Sequence, residues 1–217
     1  MRSIELQEKS IVLLGKLNPS IFQPNWFSQQ GLISLKESEN AKITVIHQDI
    51  VSFDLDWVNI LITRERCSFT SLQELFEPLR DLAFGTFKIL KHTPLSQMGI
   101  NHRIHCKFES EEKWHELGHK LAPKEIWNTV LDKPGMKSLT IMQSVRTDGY
   151  KGAINVTVEP SLKIPIGIFI GINDHYEIEN KENPTGSDEI MNILSNNWAS
   201  SLENSIKIFN KIIKFDD

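Results

Sequence analysis

The sequence predicts an α+β protein: two tandem β-α-β-β-β-α units, residues 1–95 and 96–217, that form one continuous globular domain with a curved antiparallel sheet and helices on one face. Three observations lead there. Ile154, Val156 and Val158 alternate with Asn155, Thr157 and Glu159, and Ile166, Ile168, Ile170 and Ile172 alternate with Gly167, Phe169, Gly171 and Asn173, the period of half-buried strands. The breaks between apolar runs over residues 43–62 are very short, and short breaks join antiparallel neighbours, whereas parallel ones need long crossovers. The order of elements in the first half recurs in the second.

Taken along the chain, a strand is expected over residues 11–17. A Pro-rich entry, Asn18-Pro19 to Pro24-Asn25, then leads to a short helix near Trp26 and Phe27, which cap the core. Three strands follow between Lys42 and Phe69, carried by Ile43 and Val45, by Val51, Phe53 and Leu55, and by Val58, Ile60 and Ile62. Ser71-Leu72-Gln73-Glu74 has the capping-box form, and Leu75, Leu79, Leu82, Ala83, Phe87 and Leu90 continue an apolar stripe whose main body starts at Pro78.

The second half opens with a strand over residues 98–108. Ser110, Glu111 and Glu112 then start a helix that buries Trp114, Leu117 and Leu121 and stops before Pro123. Three strands are expected over residues 139–178. The last and longest helix opens near Ser187 with Asp188 and Glu189 in its positive first turn, and directs Ile190, Leu194, Trp198, Leu202, Ile206, Phe209 and Ile213 inward. An antiparallel sheet with helices on one side leaves its other face open, a platform for a ligand or a partner chain.

Composition narrows the function. Hydrophobic residues make up 40% and charged residues 24% of the 217, which argues against disorder, collagen-like structure and a disulfide scaffold. The net charge is −4, divided as −1 before and −3 after the boundary at Leu95, so neither half is a basic saddle and a nucleic-acid partner is disfavoured. The apolar run of residues 11–14, between Lys9 and Lys16, is too short for a signal peptide or a membrane span. Cys67 and Cys106 read as small buried hydrophobes, which suits a reducing cytoplasm.

Two stretches carry a resemblance: Met98-Gly99-Ile100-Asn101-His102-Arg103-Ile104 and Leu202-Glu203-Asn204-Ser205. They resemble a sporadically distributed family of uncharacterised bacterial proteins of about this length, marked by a hydrophobic strand, a Pro-containing helix and a Gly-Leu-Arg-Tyr-Ile-Asn-like strand. Here Ile100-Asn101-His102 stands where that family has Leu-Arg-Tyr. The resemblance implies a bacterial protein, in the manner of genes found in mobile or phage-defence neighbourhoods, and implies no catalytic residue. The expected element order also resembles that of the TATA-binding protein, a likeness of topology that does not transfer function.

Three constellations carry candidate chemistry. His115-Glu116-Leu117-Gly118-His119 is an H-E-x-x-H pattern on the expected helix, where His115 and His119 share a face and suit zinc, with Glu116 as the base of a metallohydrolase. No third ligand follows closely, and a solvated helix face accounts for the same residues. The strand over residues 99–108 turns Ile100, His102, Ile104, Cys106 and Phe108 one way and Asn101, Arg103, His105 and Lys107 the other. Arg103 suits a carboxylate or phosphate, flanked by Asn101 and His105, while cross-strand pairing with an acid is the plainer use of the same charge. His102 reads as a hydrogen-bonded core histidine. Asp174 and His175 are adjacent on a strand, hence on opposite faces, and G-x-S-x-G is absent from the sequence, so a catalytic triad is disfavoured.

The P-loop, G-x-G-x-x-G, C-x-x-C and EF-hand patterns are likewise absent from the sequence. The function expected is therefore a non-enzymatic binding or sensing component of a bacterial cytoplasmic complex. It uses no cofactor and recognises another protein, a second copy of itself, or a small anionic or lipid-like ligand through Asn101, Arg103 and His105 on the open face. A zinc enzyme built on His115, Glu116 and His119 is the competing expectation.

Overall fold

The computed structural model describes residues 3–71, 73–74 and 76–214. Among the described residues nine strands form one sheet: β1 (Ser3–Gly15), β2 (Lys42–His47), β3 (Ile50–Asp54), β4 (Asn59–Thr63), β5 (Arg66–Ser71), β6 (Leu95–Lys107), β7 (Leu139–Gln143), β8 (Lys151–Pro160) and β9 (Gly167–Glu177). Their order is β2-β3-β4-β5-β1-β6-β9-β8-β7, and every neighbouring pair is antiparallel. The α-helices of the described residues are α1 (Pro24–Gln29), α2 (Leu35–Glu39), α3 (Glu77–Ile89), α4 (Glu111–Leu121) and α5 (Asp188–Ile213).

The two longest strands, β1 and β6, pair at the middle of the sheet, with Ile11 opposite Ile100 and Leu13 opposite Met98. Period-two alternation then fixes both faces. On one face, Ile11, Leu13, Phe53, Ile60, Phe69 and Ile100 join Phe27 of α1, Leu79 and Phe87 of α3, and Leu194 and Trp198 of α5 in a large core. Ile104, Cys106, Ile168, Ile170 and Ile172 join Leu117 of α4 and Phe209 of α5 in a smaller one.

Four expectations are corrected. The first half has four strands after its first helices, not three. β5 was not separated from β4 because the turn between them is Arg64-Glu65, charged residues without the Gly or Asn that announce a hairpin, held by Thr63 Oγ1 accepting from the Arg66 amide. β1 begins eight residues before the expected start, at Ser3, because ladder bonds to β6 hold its exposed end where burial does not.

Ser71 ends β5 instead of capping a helix: its hydroxyl donates to the Trp57 carbonyl and accepts from the Gln73 amide, and α3 starts at Glu77 with Pro78 in its first turn. Leu72 and Leu75 of the expected helix start lie outside the described residues. On α5, Ile206 is exposed, and Ser201 and Ser205 are buried in its place. The inward line passes from Trp198 through these two serines to Phe209, so small side chains face the sheet along that stretch.

Lys9 and His102, cross-strand partners on the helix-bearing face, are both almost wholly buried. The Lys9 ammonium sits 3.4 Å from the centre of the Phe76 ring, and burial lowers its pKa to about 8 against the opposing pull of Glu77. His102 Nε2 lies 3.3 Å from Gln7 Oε1, and its ring meets Phe209 edge-on at 4.5 Å. Burial, and then the charge of Lys9, lowers its pKa to about 3.

A buried base with a lowered pKa destabilises the fold wherever the unfolded chain binds the proton and the folded chain does not. For His102 that window runs from its ordinary 6.5 down to about 3. Thermal melts are expected to lose midpoint steadily as pH falls through this window, and His102→Gln to flatten the loss. Lys9→Met replaces a buried ammonium by an apolar group of similar length and is expected to raise the midpoint by several degrees at pH 7. A fall would show that the charge itself holds the fold.

Candidate ligand-binding face

The face turned away from the helices is built by the same register. Glu8 stands opposite Arg103, Ser10 opposite Asn101, and Val12 opposite Gly99; across the next ladder Asn101 meets Asn173 and Gly99 meets His175. Asn155 continues the middle row on β8. Three amides thus lie side by side on β6, β9 and β8. Asn173 Nδ2 donates to Asn101 Oδ1 at 2.8 Å, and Asn155 Nδ2 to Asn173 Oδ1 at 3.4 Å.

The relay depends on Gly99. A β-carbon there would stand 2.7 Å from Asn173 Nδ2, so any side chain at this position displaces the amide. Around the Asn101 end of the relay lies a cavity of about 210 Å³ whose polar lining is Arg66, Gln97, Asn101, Arg103, Asn173 and His175, with Val12 and Leu14 as an apolar wall. Among the described residues no carboxylate lines it. Arg66 has no ion pair among the described residues, whereas Arg103 is paired with Glu8 directly across the ladder.

Below Arg103 the same face opens into a wider groove of about 720 Å³. Its lining is apolar at Leu6, Leu162 and Phe169 and acidic at Glu5, Glu8 and Glu159. His105 belongs here. Ser161 Oγ accepts from the amides of Lys163 and Ile164, so its single hydrogen goes to His105 Nδ1 at 2.8 Å, leaving the ring proton on Nε2. Burial, then Lys163, lowers the His105 pKa against the pull of Glu8 and favours this neutral form.

The three residues expected to bind therefore share a face but not a single cavity. Asn101 lines the upper one, His105 the lower groove, and Arg103 both. Arg66, Gln97, Gly99, Asn173 and His175 were not singled out as binding residues. Asn173 and His175 were legible as outward positions of an alternating strand; the register that brings them beside β6 was not.

His115 and His119 occupy one face of α4, their ring centres 6.4 Å apart, on the wall of a small pocket of about 90 Å³ beside Met136, Pro160 and Ile168. Glu116 is not part of that lining and pairs with Lys120 at 3.4 Å. Among the described residues no three His, Cys, Asp or Glu side chains gather closely enough to hold one metal ion.

Asp174 and His175 point to opposite faces, as alternation requires. His175 Nε2 lies 3.4 Å from Glu177 Oε1 on the open side. On the other side, Asp174 takes part in a buried charge cluster: Arg146 Nη1 donates to Asp174 Oδ1 at 2.5 Å and to the His175 carbonyl at 3.0 Å, and the Tyr176 hydroxyl donates to Asp174 Oδ2 at 3.0 Å. The Arg146 guanidinium lies 3.8 Å from the Tyr176 ring centre and also pairs with Asp148. Burial works against the Arg146 charge, but its hydrogen bonds to Asp148 and Asp174 more than compensate and raise its pKa.

Gly152 makes room for this packing. At φ +131° its β-carbon would lie 2.0 Å from the His175 carbonyl oxygen. Arg146→Met leaves Asp174 buried without its cation and is expected to destabilise the fold by about 3–5 kcal/mol in denaturant titration. A loss below about 1 kcal/mol would mean that the cluster is solvated in solution. No protein-family model matches this chain, and no curated protein matches it.

Proposed function

We propose that this chain is a non-enzymatic binding or sensing component of a bacterial complex, and that it holds a small anionic ligand on the open sheet face. The observation that carries this reading is the upper cavity: hydrogen-bond donors from β5, β6 and β9 converge on it, and among the described residues no carboxylate lines it and Arg66 brings a guanidinium with no ion pair. At about 210 Å³ the space suits a small acid or phosphate better than a nucleotide. Val12 and Leu14 suit a short aliphatic part beside the anionic head.

The chain also reads as two related halves. In each, the first strand lies beside the last, β1 with β5 and β6 with β9, and the half closes on a helix; β1 and β6 pair antiparallel between them. The resemblance of residues 98–104 and 202–205 to scattered bacterial proteins supports a cytoplasmic, phage-defence setting for a complex of this kind. The described helices include none long and apolar enough to cross a membrane.

Titration calorimetry with inorganic phosphate, acetate, citrate and hexanoate tests the reading. At least one is expected to bind, with affinity falling about tenfold or more in Arg66→Ala. Gly99→Ala is expected to weaken binding comparably by displacing Asn173, with no change in charge. Arg103→Ala is expected to matter less, since Glu8 already neutralises that group. Failure of all four anions to bind the folded protein would reject the anionic ligand. Metal analysis addresses the zinc reading separately: one tightly held zinc per chain, lost in His115→Ala, would favour a metallohydrolase over a binding module.

A further inference from the structure

A sheet with two ends has two edge strands, each presenting unpaired backbone N–H and C=O groups that proteins guard with charges, proline or bulges. One end is guarded here. β2 carries Lys42 and His47 at its termini, and its register with β3 shifts between Ile43 and Val45. The other end is not. β7 reads Leu139-Thr140-Ile141-Met142-Gln143, without charge or proline, and its five residues pair with β8 without a shift. Ile141, on the helix-bearing side, is 59% exposed, and Met142, on the open side, is 61% exposed.

We infer that β7 pairs antiparallel with β7 of a second copy of this chain, about a twofold axis through Ile141. Such pairing sets Thr140 against Met142, Leu139 against Gln143, Ser138 against Ser144 and Lys137 against Val145, so no like charges meet. The corresponding self-pairing of β2 sets Lys42 against His47. A stable dimer buries about 800 Å² per partner, more than a five-residue ladder supplies. Ile126, Trp127, Val130 and Leu131, all exposed in the connection that enters β7, and exposed Val145 just after it, contribute the apolar remainder.

Position-specific cross-linking tests the pairing. Cys67 and Cys106 are buried, so a single introduced thiol reports on the surface. Under mild oxidation Ile141→Cys is expected to form a disulfide-linked dimer, because the axis places position 141 opposite itself within the Cα spacing a disulfide needs. Ile43→Cys on β2 is expected to form no disulfide-linked dimer under the same oxidation. Sedimentation equilibrium is expected to show a dimer of the native chain that Ile141→Lys converts to a folded monomer by opposing two ammonium groups across the axis. A native chain that stays monomeric at high concentration, a dimer unaffected by Ile141→Lys, or cross-linking equally efficient at position 43 would overturn the inference, as would a monomer whose β7 accepts only a strand from a different protein.

Discussion

The register of β1 against β6 is the constraint on which the rest of this structure depends. Because side chains alternate along a strand, one pairing decides two surfaces at once. With Ile11 opposite Ile100, the inner face receives Leu13 and Met98, together with Lys9 and His102, and the outer face receives Glu8 with Arg103, Ser10 with Asn101 and Val12 with Gly99. A slip of β1 by one residue would put the Glu8 charge under the helices and Ile11 in water. The ionic pair of Glu8 and Arg103 contributes little stability at its exposure, so apolar burial against α3 and α5 sets the register and the polar pair follows.

The same register explains why the core falls into two clusters. Lys9 and His102 occupy the helix-bearing face between Ile11 and Ile100 on one side and Ile104 on the other, and so interrupt the apolar line along β1 and β6. Above this stretch α5 turns Ser201 and Ser205 inward. Burying an amine and an imidazole costs free energy that leucine and phenylalanine would not cost, and the lowered pKa values of both groups express that cost.

The two faces of β9 show how adjacent residues acquire unrelated roles. Asn173 and His175 belong to the cavity, while Asp174 and Tyr176 hold Arg146 and thereby anchor the β7–β8 connection to the sheet. This anchoring fixes the end of the unguarded edge strand. The polar face and the proposed dimer edge are thus joined mechanically through β8 and β9, without sharing a side chain.

The sequence by itself determined the mixed α+β class, the type of most elements, and which way each side chain of β6, β8 and β9 points, because these follow from local periodicity, caps and turn residues. It gave α4 its bounds and its core face at Leu117, and it put Asp174 and His175 on opposite sides. It missed α2, a five-residue helix, β5, whose turn lacks the usual signal, and the length of β1, whose exposed outer end is held by backbone ladder bonds to β6. Only the tertiary structure decided that Arg66 and Asn173, 107 positions apart, border one cavity, and that Arg146 reaches Asp174. Strand order and register come from long-range packing, in which residues distant along the chain share a neighbourhood, and no local pattern encodes that distance.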